Sequence, residues 1–444
     1  MRRAYLVAGL VAAVFAPLAL NEYFNSLCPE LPKELVKDST ANAVPSFARQ
    51  TGFTCSTCHT IPPRLNRYGM MFKLKGYTEG KALADIPAGN GYTITKFNPV
   101  SVRVLSYPYS KRRGEDKEVI FPDEFMIVFA GRITENIGAI LEPLYEAEEG
   151  EWDVEYARIA GVKRFGNTLV GIVGGWTSPT GTDPFISLDY HGRRLTRQKA
   201  TPHDALRNTG LQDIFDFNNR GASLYAFVAN TLYVNLGAYT GSSRLENEAI
   251  GIEEEIVNRK SSDPLDFYGR VAVLPPTGFA DVNVGAFFYS GEDKLQAPDG
   301  SPLTIDATTF TKNRATRLGV DLGVQKYVSK DVMLELLAMY LDGKDRISSS
   351  TGTQEVKHRG FNLSGTFYWK SKVGLSLVYG QYRFDDDIPL TEDDERDVER
   401  RDITLHLSYM VRPNVRVGAE YTKTDFSRNI EDTEIVSLIL DFAF

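Results

Sequence analysis

From about residue 97 to Phe444 the chain runs as a series of segments, each on the order of ten residues, in which apolar and polar side chains alternate. Strand side chains point to opposite faces in turn, so each segment has one apolar and one polar face. The last segment puts Val436, Leu438, Leu440, Phe442 and Phe444 on one face, with Ser437, Asp441 and Ala443 on the other and Ile439 as the apolar exception. Val415, Val417, Ala419 and Tyr421 likewise oppose Arg416, Gly418, Glu420 and Thr422. Ile403, Leu405, Leu407 and Tyr409 oppose Thr404, His406 and Ser408. The same division holds for Leu318, Val320, Leu322 and Val324 against Arg317, Asp321 and Gln325, and for Phe361, Leu363, Phe367 and Trp369 against Asn362, Ser364 and Thr366.

A soluble sandwich turns its polar face outward, whereas a membrane barrel turns it to the lumen. The connections separate the two. Tight turns are expected near Gly166-Asn167, Asn230-Thr231, Pro275-Pro276, Ser329-Lys330, Ser371-Lys372 and Pro413-Asn414. Longer polar loops are expected around Lys111 to Lys117, Pro179 to Arg220, Ser242 to Ser262, Glu292 to Asn313 and Asp385 to Arg400. Short periplasmic turns alternating with long exterior loops are the rhythm of outer-membrane strands. The chain is rich in aromatics, with 25 Phe and 22 Tyr, yet beyond its first residues has no apolar run able to cross a bilayer as a helix. The expected fold is an all-β transmembrane barrel of about 16 antiparallel strands over residues 97–444, in a bacterial outer membrane. A terminal Phe is how such barrels usually finish.

The N-terminal part has a different organisation. Arg2 and Arg3 precede an apolar run to Leu20, as in an export signal, so residues 1–20 are expected to be a signal peptide, with its cleavage point unclear. Residues 21–43 are a lead-in, and residues 44–90 a small unit containing Cys55-Ser56-Thr57-Cys58-His59. Two thiols at this spacing can each add to a vinyl group of one porphyrin, and the adjacent imidazole then falls over the iron. Cys55 and Cys58 are the expected thioether anchors of one covalent c-type haem, and His59 its proximal iron ligand. The rival uses of such a pair are thiol redox chemistry and half a zinc site. No thioredoxin-like βαβ pattern accompanies it, and the one other cysteine, Cys28, has no second pair.

The nearest candidates for a distal ligand are Met70 or Met71, with His358 and His406 as lumen-facing alternatives. Arg49, Arg64 and Lys73 suit haem propionates, and Phe47, Phe53 and Phe72 suit the walls of a haem pocket. A unit of about 50 residues is small for an independent core, so insertion into the barrel, which supplies the missing burial, is expected.

Phe47 to Phe53 followed by Cys55 to His59, and then Leu65-Asn66-Arg67-Tyr68-Gly69 through Phe72-Lys73 to Gly76-Tyr77, resemble the monohaem cytochrome–porin family of iron-oxidising bacteria. The family pattern has an Arg near Met70, where this chain departs from it. The resemblance implies an outer-membrane Fe(II) oxidase, an iron:cytochrome-type oxidoreductase with no catalytic residue beyond its haem. Fe(II) is then the electron donor and a periplasmic cytochrome or similar carrier the acceptor. Acidic stretches at Glu146 to Asp153, Glu246 to Glu255 and Asp385 to Glu399 offer hard oxygen donors to divalent cations, or serve simply as solvated faces. A net charge of −8 argues against a nucleic-acid partner.

Overall fold

The computed structural model describes residues 44–79, 86–89, 92–94, 98–114, 116–147, 150–176, 183–187, 220–239, 265–294, 303–305, 308–386, 398–426 and 432–444. The signal peptide and lead-in expected over 1–43 lie outside them. So do Cys28, the acidic stretch 246–255 and most of the stretch 385–399.

Three short helices come first: α1 (Pro45–Thr51), α2 (Cys55–Cys58) and α3 (Arg67–Leu74). A small hairpin follows, Ile86–Gly89 paired antiparallel with Tyr92–Ile94. The wall then begins with β1 (Val100–Arg112), β2 (Lys117–Arg132), β3 (Ile137–Glu146), β4 (Glu151–Phe165), β5 (Thr168–Trp176), β6 (Arg220–Val228), β7 (Leu232–Tyr239) and β8 (Asp266–Val273). It continues with β9 (Asp281–Lys294), β10 (Thr308–Ser329), β11 (Val332–Ser349), β12 (Gly352–Trp369), β13 (Val373–Asp386), β14 (Val398–Arg412), β15 (Val415–Phe426) and β16 (Thr433–Ala443). Each pairs antiparallel with the next, and β16 returns to β1, so the described residues form a closed 16-strand barrel. A three-residue strand, Leu303–Ile305, adds to the edge of β10. At the seam Ile435 lies opposite Arg112 and Ala443 opposite Arg103, and Val102 exchanges both backbone bonds with Phe444.

The alternation decides which face is which. Leu405, Leu407, Leu377, Val436 and Leu438 are exposed on the outer surface, while Thr404, His406, Ser437 and Asp441 are buried inside. Ile439 points inward, as its position requires, and packs with Leu105 and Tyr107. A belt of exposed Leu, Val, Ile and aromatic side chains around a closed barrel has one stable solvent, the lipid of an outer membrane.

Five of the six expected tight turns are present; at Pro275-Pro276 the connection from Val273 to Asp281 is instead seven residues long. The expected long loop at Lys111 to Lys117 is instead a tight hairpin, with Lys111 opposite Lys117, and Ser350-Thr351 closes another on the same rim. The reason is strand length. Crossing a bilayer takes about 9–11 residues, whereas β10 has 22. Beyond the lipid the ladder continues with polar side chains, such as Arg314 paired to Glu292 at 2.6 Å, and hydrophobic alternation no longer marks it.

Residues 44–79 lie inside the barrel. Phe72 and Tyr77 pack with Met126, Val128 and Ile140 of the wall. Ile61 packs with Met333, Tyr368 and Met410 on another sector of it. Insertion provides the burial that so short a segment lacks alone.

Candidate functional site

α1 begins with Pro45 at its first turn and stops at Gly52, which takes the left-handed conformation (φ 71°) and bonds back to Ala48. It is tied to the barrel at both ends: the Ser46 amide donates to Ser101 Oγ (2.8 Å), and the Arg132 amide donates to Gln50 Oε1 (2.8 Å). After Gly52 and a short extended stretch, α2 makes one turn in which the His59 amide donates to the Cys55 carbonyl (2.8 Å), bringing Cys55, Cys58 and His59 to one place.

Asn66 holds this turn against α3. Its side chain caps α3 by accepting from the Gly69 amide (3.0 Å) and donates to the Ser56 and Thr57 carbonyls, each at 3.1 Å. One residue therefore satisfies orphan groups at the start of one helix and the end of another. Gly69 permits the contact: a Cβ there would stand 2.1 Å from the Cys58 carbonyl oxygen. The plug is seated by a second glycine contact, where a Cβ on Gly138 of the wall would stand 2.0 Å from the Gly76 carbonyl oxygen.

His59 Nδ1 lies 3.1 Å from the Pro63 carbonyl. A carbonyl only accepts, so Nδ1 carries the proton and Nε2 keeps its lone pair. Burial lowers the His59 pKa to about 4, against the hydrogen bonds to Pro63 and Arg64 that raise it, so the ring is neutral at neutral pH. Burial, followed by the neighbouring Cys58, pushes the Cys55 thiol up to about 12; burial, followed by Glu79, does the same to Cys58. A thiol redox site lowers the cysteine pKa, the direction opposite to the one seen at both thiols. Among the described residues no group of three or more His, Cys, Asp and Glu is placed to hold a metal ion.

Cys55, Cys58 and His59 line a cavity of about 340 Å³ inside the barrel, within the size range of small-molecule sites. Phe47, Phe53, Phe72, Val128 and Ile140 supply apolar wall, and Arg103, Arg158 and Arg416 reach it from the strands. Arg103 and Arg416 share Asp441, with contacts of 2.9 to 3.1 Å. On another side the cavity is lined by Asp183, Pro184 and Ile186, from the connection between β5 and β6. Asp183 and Asp321 both pair with Arg270, the Ser187 amide donates to Asp321 (3.0 Å), and Asn283 donates to the Phe185 carbonyl (2.7 Å). Arg67 of α3 stacks 5.2 Å from the centre of the Phe185 ring.

The expected surroundings divide. Phe47, Phe53, Arg64, Phe72 and Lys73 line the cavity; Arg49, Met70 and Met71 do not. Arg49 donates instead to the backbone carbonyls of Asn98 (3.3 Å) and Val100 at the start of the wall. Arg64 faces the cavity but pairs with Glu335 at 2.7 Å. Met70 and Met71 pack against the wall around Phe227 and Leu274. His406 is buried beside Glu420 (3.3 Å) and lines no part of the cavity; the His358 side chain lies outside the described ones. The wall arginines were missed as site residues, although Arg416 was already legible on the polar face of its strand.

No known family model matches the sequence, and no curated protein does. Among solved structures the chain is similar to an anion-selective porin from Comamonas acidovorans, with 12% identity and a TM-score of 0.51 over 78% of this chain and 98% of that one. OmpT of Vibrio cholerae, in its trimer form, gives 12% identity and a TM-score of 0.48 over 78% and 98%. At such identity the first likeness shows the porin-like barrel fold alone, in agreement with the strand count.

Proposed function

We propose that this outer-membrane barrel is an electron conduit: Cys55, Cys58 and His59 hold one covalent c-type haem, Fe(II) outside the cell is the electron donor, and a periplasmic cytochrome or similar carrier is the acceptor. The observation that carries the reading is the conjunction of both thiols and a neutral imidazole, its Nε2 left free by the Nδ1 bond to Pro63, on one cavity inside the barrel. A metal-ligating histidine characteristically has its other nitrogen held in this way. When bound, the haem supplies a centre that gains and loses one electron.

The chain's own residues do the rest. Cys55 and Cys58 anchor the group, and Asn66 fixes the turn that carries them. Phe47, Phe53 and Phe72 exclude water, and Arg158 with Arg103 and Arg416 offers guanidinium groups to the two propionates. Fe(II) as the donor rests on the resemblance of residues 47–59 and 65–77 to iron-oxidising cytochrome–porins, together with acidic stretches whose hard oxygens attract divalent cations.

The second reading is a plain porin, favoured by the barrel fold it shares with porins. Against it stands the packing of residues 44–79 and 183–187 within the lumen. One experiment separates the readings: anaerobic addition of Fe(II) to the oxidised, detergent-solubilised protein, followed by absorbance. The haem α-band should rise, and should be absent from Cys55→Ser/Cys58→Ser protein. A haem reduced by dithionite but not by Fe(II) leaves a conduit with another donor; a protein without covalent haem leaves the porin.

A further inference from the structure

We propose that Lys73 Nζ is the second axial ligand of the haem held by Cys55, Cys58 and His59, an inference that rests on the haem reading above. Helix α3 has two faces. Met70 and Leu74, with Met71 beside them, pack on Ala160, Val162 and Phe227 of the wall, so the methionines nearest the attachment sequence are occupied elsewhere. Gly69, Phe72 and Lys73 line the cavity. Gly69 abuts the Cys58 carbonyl, and Lys73 follows it by four residues, on the same side of the helix one turn on.

Among the described residues the Lys73 amine makes no hydrogen bond and no ion pair. The Lys73 side chain is half-buried and lines the same cavity as Cys58 and His59, so its amine is a donor that the cavity's contents can recruit. Burial, followed by the Arg158 guanidinium, holds the amine well below the ordinary lysine value, against an opposing pull from Asp183. Burial thus works against the charged form of the amine and toward the form that carries a lone pair.

Other donors on the cavity have partners or a different place. The Tyr77 hydroxyl accepts from Arg158, Asp183 pairs with Arg270, and Asp441 is shared by Arg103 and Arg416. Met410 packs with Ile61, two residues from His59, and so belongs with the loop that carries the proximal imidazole. Coordination by Lys73 needs only that the amine give up its proton to solvent. An amine in place of a thioether also forgoes the rise in potential that Met/His ligation brings.

Two substitutions separate ligation from pairing with a propionate. Lys73→Arg keeps the charge and the donors but has no lone pair for iron. Lys73→Met has a lone pair but cannot pair with a carboxylate. Near-infrared magnetic circular dichroism and electron paramagnetic resonance of the ferric protein read the ligand set directly. The wild type should be six-coordinate and low-spin with two nitrogen ligands. K73R should turn high-spin, and K73M should stay low-spin with a thioether signature and a higher potential. A wild type that is high-spin or thioether-ligated overturns the proposal, as does K73R with an unchanged spectrum, and these wild-type spectra decide even where a variant fails to fold. A preparation with no covalent haem, judged by its pyridine haemochrome, overturns the haem reading as well, so the two failures are distinguishable.

Discussion

The outer and inner faces of the same sixteen strands are built on different rules. Outside, Leu375, Leu377, Leu405 and Leu407 form a belt in which one apolar side chain serves nearly as well as another, because lipid tails are as apolar as leucine. Inside, Arg270 meets Asp183 and Asp321, Arg64 meets Glu335, and Arg317 meets Asp345 at 2.7 Å, each pair fully or nearly buried. A buried pair tolerates no loss of one partner, since the other charge is left without compensation. The outer face needs a composition; the inner face needs particular residues in particular places. Substitution costs on the two faces should therefore differ.

The sharpest test is Arg270→Met. It strands two carboxylates and should cost about 3–5 kcal/mol in the denaturant-induced unfolding of vesicle-inserted protein, with protease sensitivity appearing at 183–187. A cost near zero would end the distinction between the faces. Gly138→Ala is intermediate. Its new methyl meets the Gly76 carbonyl, so the wall or the plug must shift, at about 1–3 kcal/mol in the same assay and with lowered protease protection of residues 44–79. Leu377→Val on the lipid side should change stability by no more than about 0.5 kcal/mol. If it cost as much as Gly138→Ala, the lipid-facing belt would be packed as specifically as the lumen.

That contrast also explains what could be read in advance. Outward residues are chosen by period alone, so the faces of β14, β15 and β16 were legible residue by residue, and so were five of the tight turns. The grouping of Cys55, Cys58 and His59 was legible too, because a spacing of a few residues is brought together by one helical turn. The hairpin at Lys111 to Lys117 was read as a long loop, since a polar ladder above the membrane leaves no hydrophobic signal. Met70 and Met71 were natural ligand candidates by distance along the chain, but the wall claims that face of α3 and leaves Lys73 on the cavity.

By itself, then, the order of residues determined a barrel, its strand faces and a pair of thiols beside a histidine, because each follows from periods and spacings shorter than one element. Only the tertiary structure decided that α1 to α3 fill the lumen, that Arg103, Arg158 and Arg416 reach the same cavity as His59, and that Asp183 lines it while paired with Arg270. Those partners lie tens to hundreds of positions apart, as Arg64 does from Glu335, and no local pattern encodes a meeting that depends on how a closed sheet wraps around what it contains.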